Sequence, residues 1–180
     1  MRLLGRTNTF VPIYTKAVRS EDVALARHWA VEHEFDALLS TDGDADRPLI
    51  GDERGKWFRG DVVGILCAQY LGADVVVTPV SSNTAVEECG AFRQVLRTRI
   101  GSPYVIAGMD SITNRESRTN GNGSALVVGY EANGGFLLGS NVVRDGVVLT
   151  ALPPRDALLP MLALLSMARS RGCKLSALSL

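Results

Sequence analysis

The 180-residue chain is long enough to bury a substantial core, as one large domain or as two small ones. Its 19 basic and 19 acidic side chains balance, so no charge excess indicates a nucleic-acid partner and no block of like charge predicts a disordered tail. No apolar run approaches the length of a membrane span. The three cysteines are scattered and the first residues do not form a secretory signal, so a reducing cytoplasm is the expected location.

Helices and strands are predicted to alternate along the chain, which indicates a layered α/β architecture. Apolar residues at helical spacing predict helices over residues 20–34, 61–72, 102–109 and 153–172. Short apolar or β-branched runs predict strands over residues 35–40, 74–78, 95–98 and 124–129, and a hairpin of 141–143 with 147–149. The polar stretch over residues 114–123 has no periodicity and predicts a loop.

Three details of these helices can be tested against the structure. Asp61 is expected to cap the helix that follows it. Pro153-Pro154-Arg155-Asp156 is expected to start the longest helix. Pro160 would break the interior of that helix, so it is expected either close to the first turn or at a kink.

The most informative stretch is the hexapeptide Asp42-Gly43-Asp44-Ala45-Asp46-Arg47, which lies just after the predicted strand over residues 35–40. Sites in α/β proteins commonly lie where a strand ends and a loop begins. Two carboxylates about 5 Å apart repel by roughly 3 kcal/mol at an effective dielectric constant of about 20, so three converging carboxylates need protons or a cation. Oxygen-only ligands favour a hard cation, and a site with few protein ligands suits Mg²⁺.

Two other interpretations of the hexapeptide compete with a magnesium site. A solvated acidic turn would explain Asp42-Gly43 alone, because both residue types are common in turns, but three alternating aspartates behind an apolar strand favour a metal. An EF-hand calcium loop fits the spacing of the acidic residues. That loop needs glycine at its sixth position, where Arg47 stands, and a helix in front of it. Both requirements fail, and the EF-hand is excluded.

A second polar turn follows the predicted strand over residues 124–129. Glu131 and Asn133 lie two residues apart at the strand end and can point the same way. A carboxylate and a carboxamide presented together suit adjacent sugar hydroxyls, because one accepts hydrogen bonds and the other donates them. A turn with incidental polar residues is the alternative, and this stretch by itself does not exclude it.

The hexapeptide, together with Asp52-Glu53-Arg54-Gly55 and Gly60-Asp61, resembles the metal-binding loop of the α-D-phosphohexomutases, the phosphomannomutase/phosphoglucomutase family. The resemblance implies that Asp42, Asp44 and Asp46 hold Mg²⁺. It also implies that a phosphoserine from an earlier domain completes the site.

The same resemblance assigns roles to three further residues. Arg47 would lie near the metal and the phosphoserine, where it would act in catalysis by contacting oxygens of the transferring phosphate. Residues 129–135 occupy the place of the family's sugar-recognition loop, which usually reads Gly-Glu-x-Ser-Gly-His. Glu131 matches the acid of that loop and is expected to bind the sugar together with Asn133, which replaces the serine. Gly135 replaces the histidine, which leaves the choice of hexose open.

The resemblance also implies a fold and a reaction. The fold consists of two α/β/α layered domains, the first incomplete: residues 1–59 with the metal loop and residues 60–180 with the sugar loop. The reaction is an intramolecular transfer of phosphate on mannose or glucose 1- and 6-phosphates, through a bisphosphate intermediate. The family's Thr-Ala-Ser-His-Asn-Pro phosphoserine motif and its fourth, phosphate-binding domain have no counterpart in these residues.

Three functional hypotheses follow from this pattern. The first is part of a phosphohexomutase, whose activity belongs to the complete enzyme. The second is a catalytically inactive fragment that binds Mg²⁺ or a sugar phosphate. An independent metal-dependent phosphatase ranks last, because the Asp-x-Asp-x-Thr context of a phosphatase nucleophile is missing. An incomplete sheet in the first domain would expose an unpaired edge, so self-association through that edge is a further expectation.

Overall fold

The computed structural model describes residues 1–5, 8–9, 12–119, 125–178 and 180. The helices in this part are α1 (Ser20–His33), α2 (Gly60–Leu71), α3 (Ala85–Glu88), α4 (Ser102–Thr119) and α5 (Leu158–Ser170), followed by a 3-10 helix at Leu175–Ala177. The strands are β1 (Leu38–Thr41), β2 (Pro48–Gly51), β3 (Val75–Pro79), β4 (Gln94–Thr98), β5 (Val127–Tyr130), β6 (Phe136–Leu138), β7 (Val142–Arg144), β8 (Val147–Leu149) and β9 (Leu152–Asp156).

Five of these strands form a central mixed sheet in the spatial order β4-β3-β5-β6-β9. The first three are parallel, with Val76 of β3 opposite Val95 on one side and Val128 on the other. β6 and β9 complete the sheet in antiparallel orientation. Every residue of β3, β5 and β6 is buried, as expected for strands that are covered on both faces.

Different helices cover the two faces of this sheet. Val76 and Val128 pack in one cluster with residues of α2 and α5. Val77 and Val127 pack in a second cluster with residues of α4, such as Val105. Side chains alternate between the faces of a strand, so the two clusters lie on opposite sides of the sheet. The result is a three-layer α/β/α arrangement, which confirms the predicted α/β class.

The aspartate-rich hexapeptide joins the strands of a separate antiparallel pair, β1 and β2, in which Thr41 lies opposite Pro48. β2 is fully buried and packs against α2 and α5. Leu38 of β1 packs with Ala26 and Ala30 of α1 in a small third cluster. The predicted division into two domains and the predicted self-association through an open sheet edge both stay predictions.

Most predicted elements are confirmed, but the sheet holds more strands than predicted. α1, α2, β3, β4 and the β7–β8 hairpin lie within a residue or two of the predicted bounds. β1 starts three residues later than predicted, at Leu38. β5 starts at Val127, and residue 124, where the predicted strand began, lies outside the described residues. The short strands β2 and β6 were not predicted.

Two predictions about the second half of the chain are wrong in part. The polar stretch predicted as a loop is helical from residue 114 to residue 119, and its remainder lies outside the described residues. Pro153-Pro154-Arg155-Asp156 does not start the last helix but lies in β9, at the edge of the sheet. Proline has no N–H to donate to a neighbouring strand, so an edge is where it is tolerated. Pro160 is the third residue of α5, in the first turn, one of its two predicted places.

Two findings bear on the environment of the chain. No described helix combines the length and the apolar character that crossing a membrane requires. Cys67, Cys89 and Cys173 are free thiols. Burial raises the pKa of the Cys67 thiol well above its usual value, so this side chain packs as a neutral group in the core.

Candidate metal and sugar site

The aspartate loop, residues 42–47, is a tight turn that draws its carboxylates together. The Asp42 N–H donates to the Arg47 carbonyl, and the Ala45 N–H donates to the Asp42 carbonyl. Ala45 takes a left-handed backbone conformation with φ at 59°, which this turn requires. Carboxylate oxygens of Asp42, Asp44 and Asp46 all lie within 4.8 Å of one another. The predicted metal ligands therefore converge.

Arg47 lies among these three carboxylates. Its Nε is 3.2 Å from Asp46 Oδ1 and in contact with Asp42 Oδ2, and its Nη2 is 3.9 Å from Asp44 Oδ2. The contact with Asp42 Oδ2 lacks the geometry of a hydrogen bond, so this buried oxygen has no hydrogen-bond partner. Leaving a buried carboxylate oxygen unsatisfied is costly. The Arg47 charge thus offsets part of the repulsion between the three carboxylates, and it leaves Asp42 Oδ2 without a hydrogen bond.

The three aspartates fit a small divalent cation. Opposite ligands of an octahedral Mg²⁺ ion are roughly 4.2 Å apart, since each bond is about 2.1 Å long. The three oxygens lie within 4.8 Å of one another, slightly more than that distance, and the Asp44 side chain is 80% exposed, with Arg47 at 3.9 Å. The all-oxygen donor set suits Mg²⁺ or a similar hard cation.

The sugar turn, residues 131–135, follows β5. The Glu131 N–H donates to the Gly135 carbonyl, and the Gly134 N–H donates to the Glu131 carbonyl. Glu131 is buried, and its Oε2 accepts no hydrogen bond. Asn133 Oδ1 accepts from the Gly135 N–H at 3.0 Å, which leaves the amide nitrogen of Asn133 to donate. The structure places both predicted sugar-binding residues in one turn, and one of them holds a buried oxygen that accepts no hydrogen bond.

The aspartate loop and the sugar turn are neighbours because glycines allow close backbone packing. A Cβ on Gly134 would lie 3.1 Å from the Pro48 carbonyl oxygen, just after the aspartate loop. A Cβ on Gly60, at the start of α2, would lie 2.3 Å from the Gly134 nitrogen. A side chain does not fit at Gly60, so β2, α2 and the sugar turn meet at their backbones.

Arg155 joins the two loops directly. Its Nη2 is 2.7 Å from Asp46 Oδ2, and its Nη1 is 3.6 Å from Glu131 Oε2. Arg155 was not among the predicted site residues, because it was expected in the first turn of a helix. The signal that could have placed it is the preceding pair of prolines, which is more typical of an edge strand or turn than of a helix interior.

The prediction that Asp61 caps α2 is wrong. The N-cap residue is Arg59, and it makes no side-chain cap. Asp61 is instead buried within the first turn, where it accepts hydrogen bonds from the Val62 and Asn83 N–H groups and pairs with Arg59 at 3.0 Å. The carboxylate thus ties α2 to the turn that follows β3, and it raises the pKa of the Arg59 guanidinium through a hydrogen bond and its charge.

Comparison with known proteins decides the family. The family model described as phosphoglucomutase/phosphomannomutase, alpha/beta/alpha domain III, matches residues 59–179. The chain belongs to the phosphoglucomutase/phosphomannomutase family. It is 50% identical over 162 residues to a phosphomannomutase of Salmonella muenchen, covering 90% of this chain and 32% of that protein. It is 45% identical over 165 residues to a phosphomannomutase of Sinorhizobium fredii, covering 92% of this chain and 33% of that protein.

Solved structures of the phosphoglucomutase/phosphomannomutase family share the fold. A family member from Burkholderia thailandensis superposes with a TM-score of 0.59 at 17% identity, over 88% of this chain and 30% of that one. The phosphoglucomutase parafusin from Paramecium superposes with a TM-score of 0.56 at 14% identity, over 89% of this chain and 26% of that one. The present chain spans about a third of the length of the curated relatives it matches.

Proposed function

We propose that this chain carries the metal-binding loop and the sugar-recognition turn of a phosphohexomutase that acts on mannose or glucose 1- and 6-phosphates. The observation that carries the proposal is the convergence of Asp42, Asp44 and Asp46 around Arg47. Arg155 lies between this cluster and the Glu131 carboxylate. Family membership and the phosphomannomutase relatives support the substrate class.

The proposed cofactor is Mg²⁺, held by Asp42, Asp44 and Asp46. When bound there, such an ion supplies positive charge that stabilises the phosphoryl group during transfer. Arg47 is the proposed catalytic contact to phosphate oxygens, because a guanidinium offers paired N–H donors that match their geometry. With Asp42 and Asp46 holding its Nε side, the rest of the guanidinium can face the substrate.

Glu131 and Asn133 are the proposed contacts to the hexose. The Glu131 carboxylate accepts hydrogen bonds from sugar hydroxyls, and the amide nitrogen of Asn133 donates one. Oε2 of Glu131 supports this role, since a buried carboxylate oxygen that accepts no hydrogen bond gains most from a ligand that donates one. The three free cysteines support a reducing cytoplasm as the proposed location.

Phosphoryl transfer needs a phosphoserine that these residues do not supply, because the Thr-Ala-Ser-His-Asn-Pro motif is not among them. We therefore infer that the 180 residues by themselves bind the cation and a hexose phosphate without interconverting the two phosphates. The alternative is a protein that serves only to bind Mg²⁺ or a sugar phosphate. The two functions are distinguished by adding the phosphoserine domain of a relative. If turnover then appears, the mutase is supported, and if no turnover appears, the binding protein is supported.

The metal assignment is tested by calorimetric titration with Mg²⁺. We expect weak binding to the unsubstituted chain and loss of the binding heat in the triple variant Asp42→Asn, Asp44→Asn, Asp46→Asn. The matched control is the triple variant of three exposed aspartates outside the loop, Asp36→Asn, Asp110→Asn and Asp145→Asn, which removes the same charge. Equal heats for the two triple variants would show that the loop does not hold the ion.

The sugar assignment is tested with mannose 6-phosphate and glucose 6-phosphate at saturating Mg²⁺. Replacing Glu131 by Gln removes a charged acceptor, whose hydrogen bonds contribute about 1.5–3 kcal/mol each, so we expect the affinity to fall about tenfold or more. Glu88→Gln, on the exposed side of α3, serves as the control for charge. An unchanged affinity in Glu131→Gln would remove Glu131 from the sugar site.

A further inference from the structure

The position of Arg155 is determined by a strand irregularity and by a missing side chain. The register between β6 and β9 shifts between Phe136 and Leu138, so that Leu152 to Asp156 of β9 face a shorter segment of β6. Such irregularities re-aim side chains near sites. A Cβ on Gly135 would lie 2.7 Å from Arg155 Cδ and 3.2 Å from Arg155 Cγ. The arginine side chain therefore fills the space that a side chain at position 135 would take.

The charges around Arg155 are unbalanced. Asp42, Asp44, Asp46 and Glu131 face two guanidinium groups, so the cluster carries a formal charge of −2. Arg155 is close to two carboxylates but is in full contact with one: Asp46 lies at 2.7 Å and Glu131 at 3.6 Å. A divalent cation would neutralise the cluster, and it would compete with the two arginines for the Asp46 carboxylate.

We propose that Arg155 is a positioning residue whose guanidinium moves from Asp46 to Glu131 when a divalent cation binds the aspartate loop. The inference rests on the proposed function and adds a link between its two halves. Cation binding removes the partner of Arg155 at Asp46, and Glu131 Oε2, which lies 3.6 Å from Nη1 and has no hydrogen-bond partner, is a replacement within reach. The arginine then fixes the carboxylate that receives the sugar, so cation binding prepares the sugar turn.

The test compares cation affinity with sugar affinity in Arg155→Gln. Removing a positive charge that competes for Asp46 should strengthen Mg²⁺ binding, by about three- to tenfold for a partly exposed pair. Removing the group that orients Glu131 should weaken mannose 6-phosphate binding at saturating Mg²⁺ by roughly fivefold or more. A merely structural arginine would weaken both affinities when removed, so the opposite signs distinguish the two roles.

Two further variants separate charge from geometry. Arg155→Lys keeps the charge but loses the planar pair of donors, so Mg²⁺ affinity should stay near that of the unsubstituted chain while sugar affinity falls. Gly135→Ala displaces the arginine methylene groups, which can move, and its effects should have the same signs as those of Arg155→Gln. Arg144→Gln, whose arginine donates to the Tyr70 carbonyl on another part of the surface, is the control for lost charge and should change neither affinity.

The possible results separate this proposal from the proposed function. If the unsubstituted chain gives no Mg²⁺ heat, both fail. If it binds Mg²⁺ and Arg155→Gln binds the ion equally well or more weakly, the positioning role is overturned and the metal site stands. Tighter Mg²⁺ binding together with weaker sugar binding supports the proposal.

Discussion

Gly64 marks a close contact between α2 and the central sheet. A Cβ at this position would lie 2.3 Å from Cγ of Tyr130 and 2.5 Å from its Cδ2. The Tyr130 ring is fully buried in the core cluster that α2 shares with α5. In a helix interior alanine is ordinarily about 1 kcal/mol more favourable than glycine. Here the missing side chain allows the helix to pack against a buried ring.

We expect Gly64→Ala to destabilise the chain in spite of the better helix propensity. Overpacking a core costs about 1–3 kcal/mol and sometimes more, and the ring cannot turn out of the way because it is enclosed. The urea midpoint should fall by an amount equivalent to roughly 2 kcal/mol, with an unchanged dependence on urea concentration. In a Tyr130→Ala background, which lacks Cγ and Cδ2, the penalty relative to Tyr130→Ala alone should shrink, and a penalty of the same size there would argue against the clash.

At the scale of single residues, the aspartates were predictable and Arg155 was not. Asp42, Asp44 and Asp46 are local in sequence, so their alternation with small residues already indicates convergence. Arg155 reaches the same site from the far edge of the sheet, by a register shift between β6 and β9. No local sequence pattern indicates that shift, and an arginine after two prolines does not by itself predict which carboxylates it will contact.

Among the elements, β4 is attached to the turn after β3 through Arg97. This arginine donates from Nη1 to the carbonyls of Pro79 and Ser82, and from Nη2 to that of Asn83. Its guanidinium also pairs with Glu87 of α3 at 2.7 Å. Arg97 of the edge strand β4 therefore binds the carbonyl groups of the turn that follows β3.

This ion pair predicts a pH-dependent contribution to stability. The hydrogen bond from Arg97, which outweighs the effect of burial, lowers the pKa of the Glu87 carboxyl. A carboxyl whose pKa is lowered in the folded state stabilises the fold above its unfolded pKa, and it loses that contribution as the pH falls through the folded pKa. Glu87 is 43% exposed, so solvent screening limits the contribution to about 1 kcal/mol or less.

Urea unfolding of Glu87→Gln should therefore show a gap from the unsubstituted chain at pH 7 that closes as the pH drops below about 4.5. Glu88→Gln removes the same charge from the neighbouring position and controls for the net charge of α3. A gap of the same size at pH 7 and pH 3 would mean that Glu87 stabilises the turn by packing, and that its charge is irrelevant.

The elements themselves were predictable where one physical signal dominates. The β-branched run of β3 and the Asp-Gly turn of the β7–β8 hairpin are strong local signals, and both are confirmed. β2, β6 and β9 are three to five residues long, too short for a period to show, and two of them contain proline. The second half of α4 is mostly polar in sequence, so no apolar periodicity marks it, yet its backbone continues as a helix.

In the folded chain as a whole, the two candidate loops meet because the β1–β2 hairpin packs against the helices of the central sheet. The buried β2 contacts α2 and α5, and Pro48 lies against Gly134 of the sugar turn. The proposed metal ligands come from the first part of the chain, while Glu131, Asn133 and Arg155 come from the second. Only the tertiary fold brings these parts together, which is why the sequence could identify each loop but not their contact.

The groups that these 180 residues contain determine whether they can turn over substrate. A bound cation stabilises a phosphoryl group during transfer, and an oriented sugar can accept it. Neither provides the group that donates the phosphate. We expect a polypeptide of these 180 residues to convert no mannose 6-phosphate into mannose 1-phosphate in the presence of Mg²⁺, as followed by phosphorus NMR. Turnover that disappears in Asp44→Asn would contradict this expectation, because it would mean that a nucleophile among these residues replaces the phosphoserine. Turnover that persists in Asp44→Asn would instead indicate a contaminating mutase.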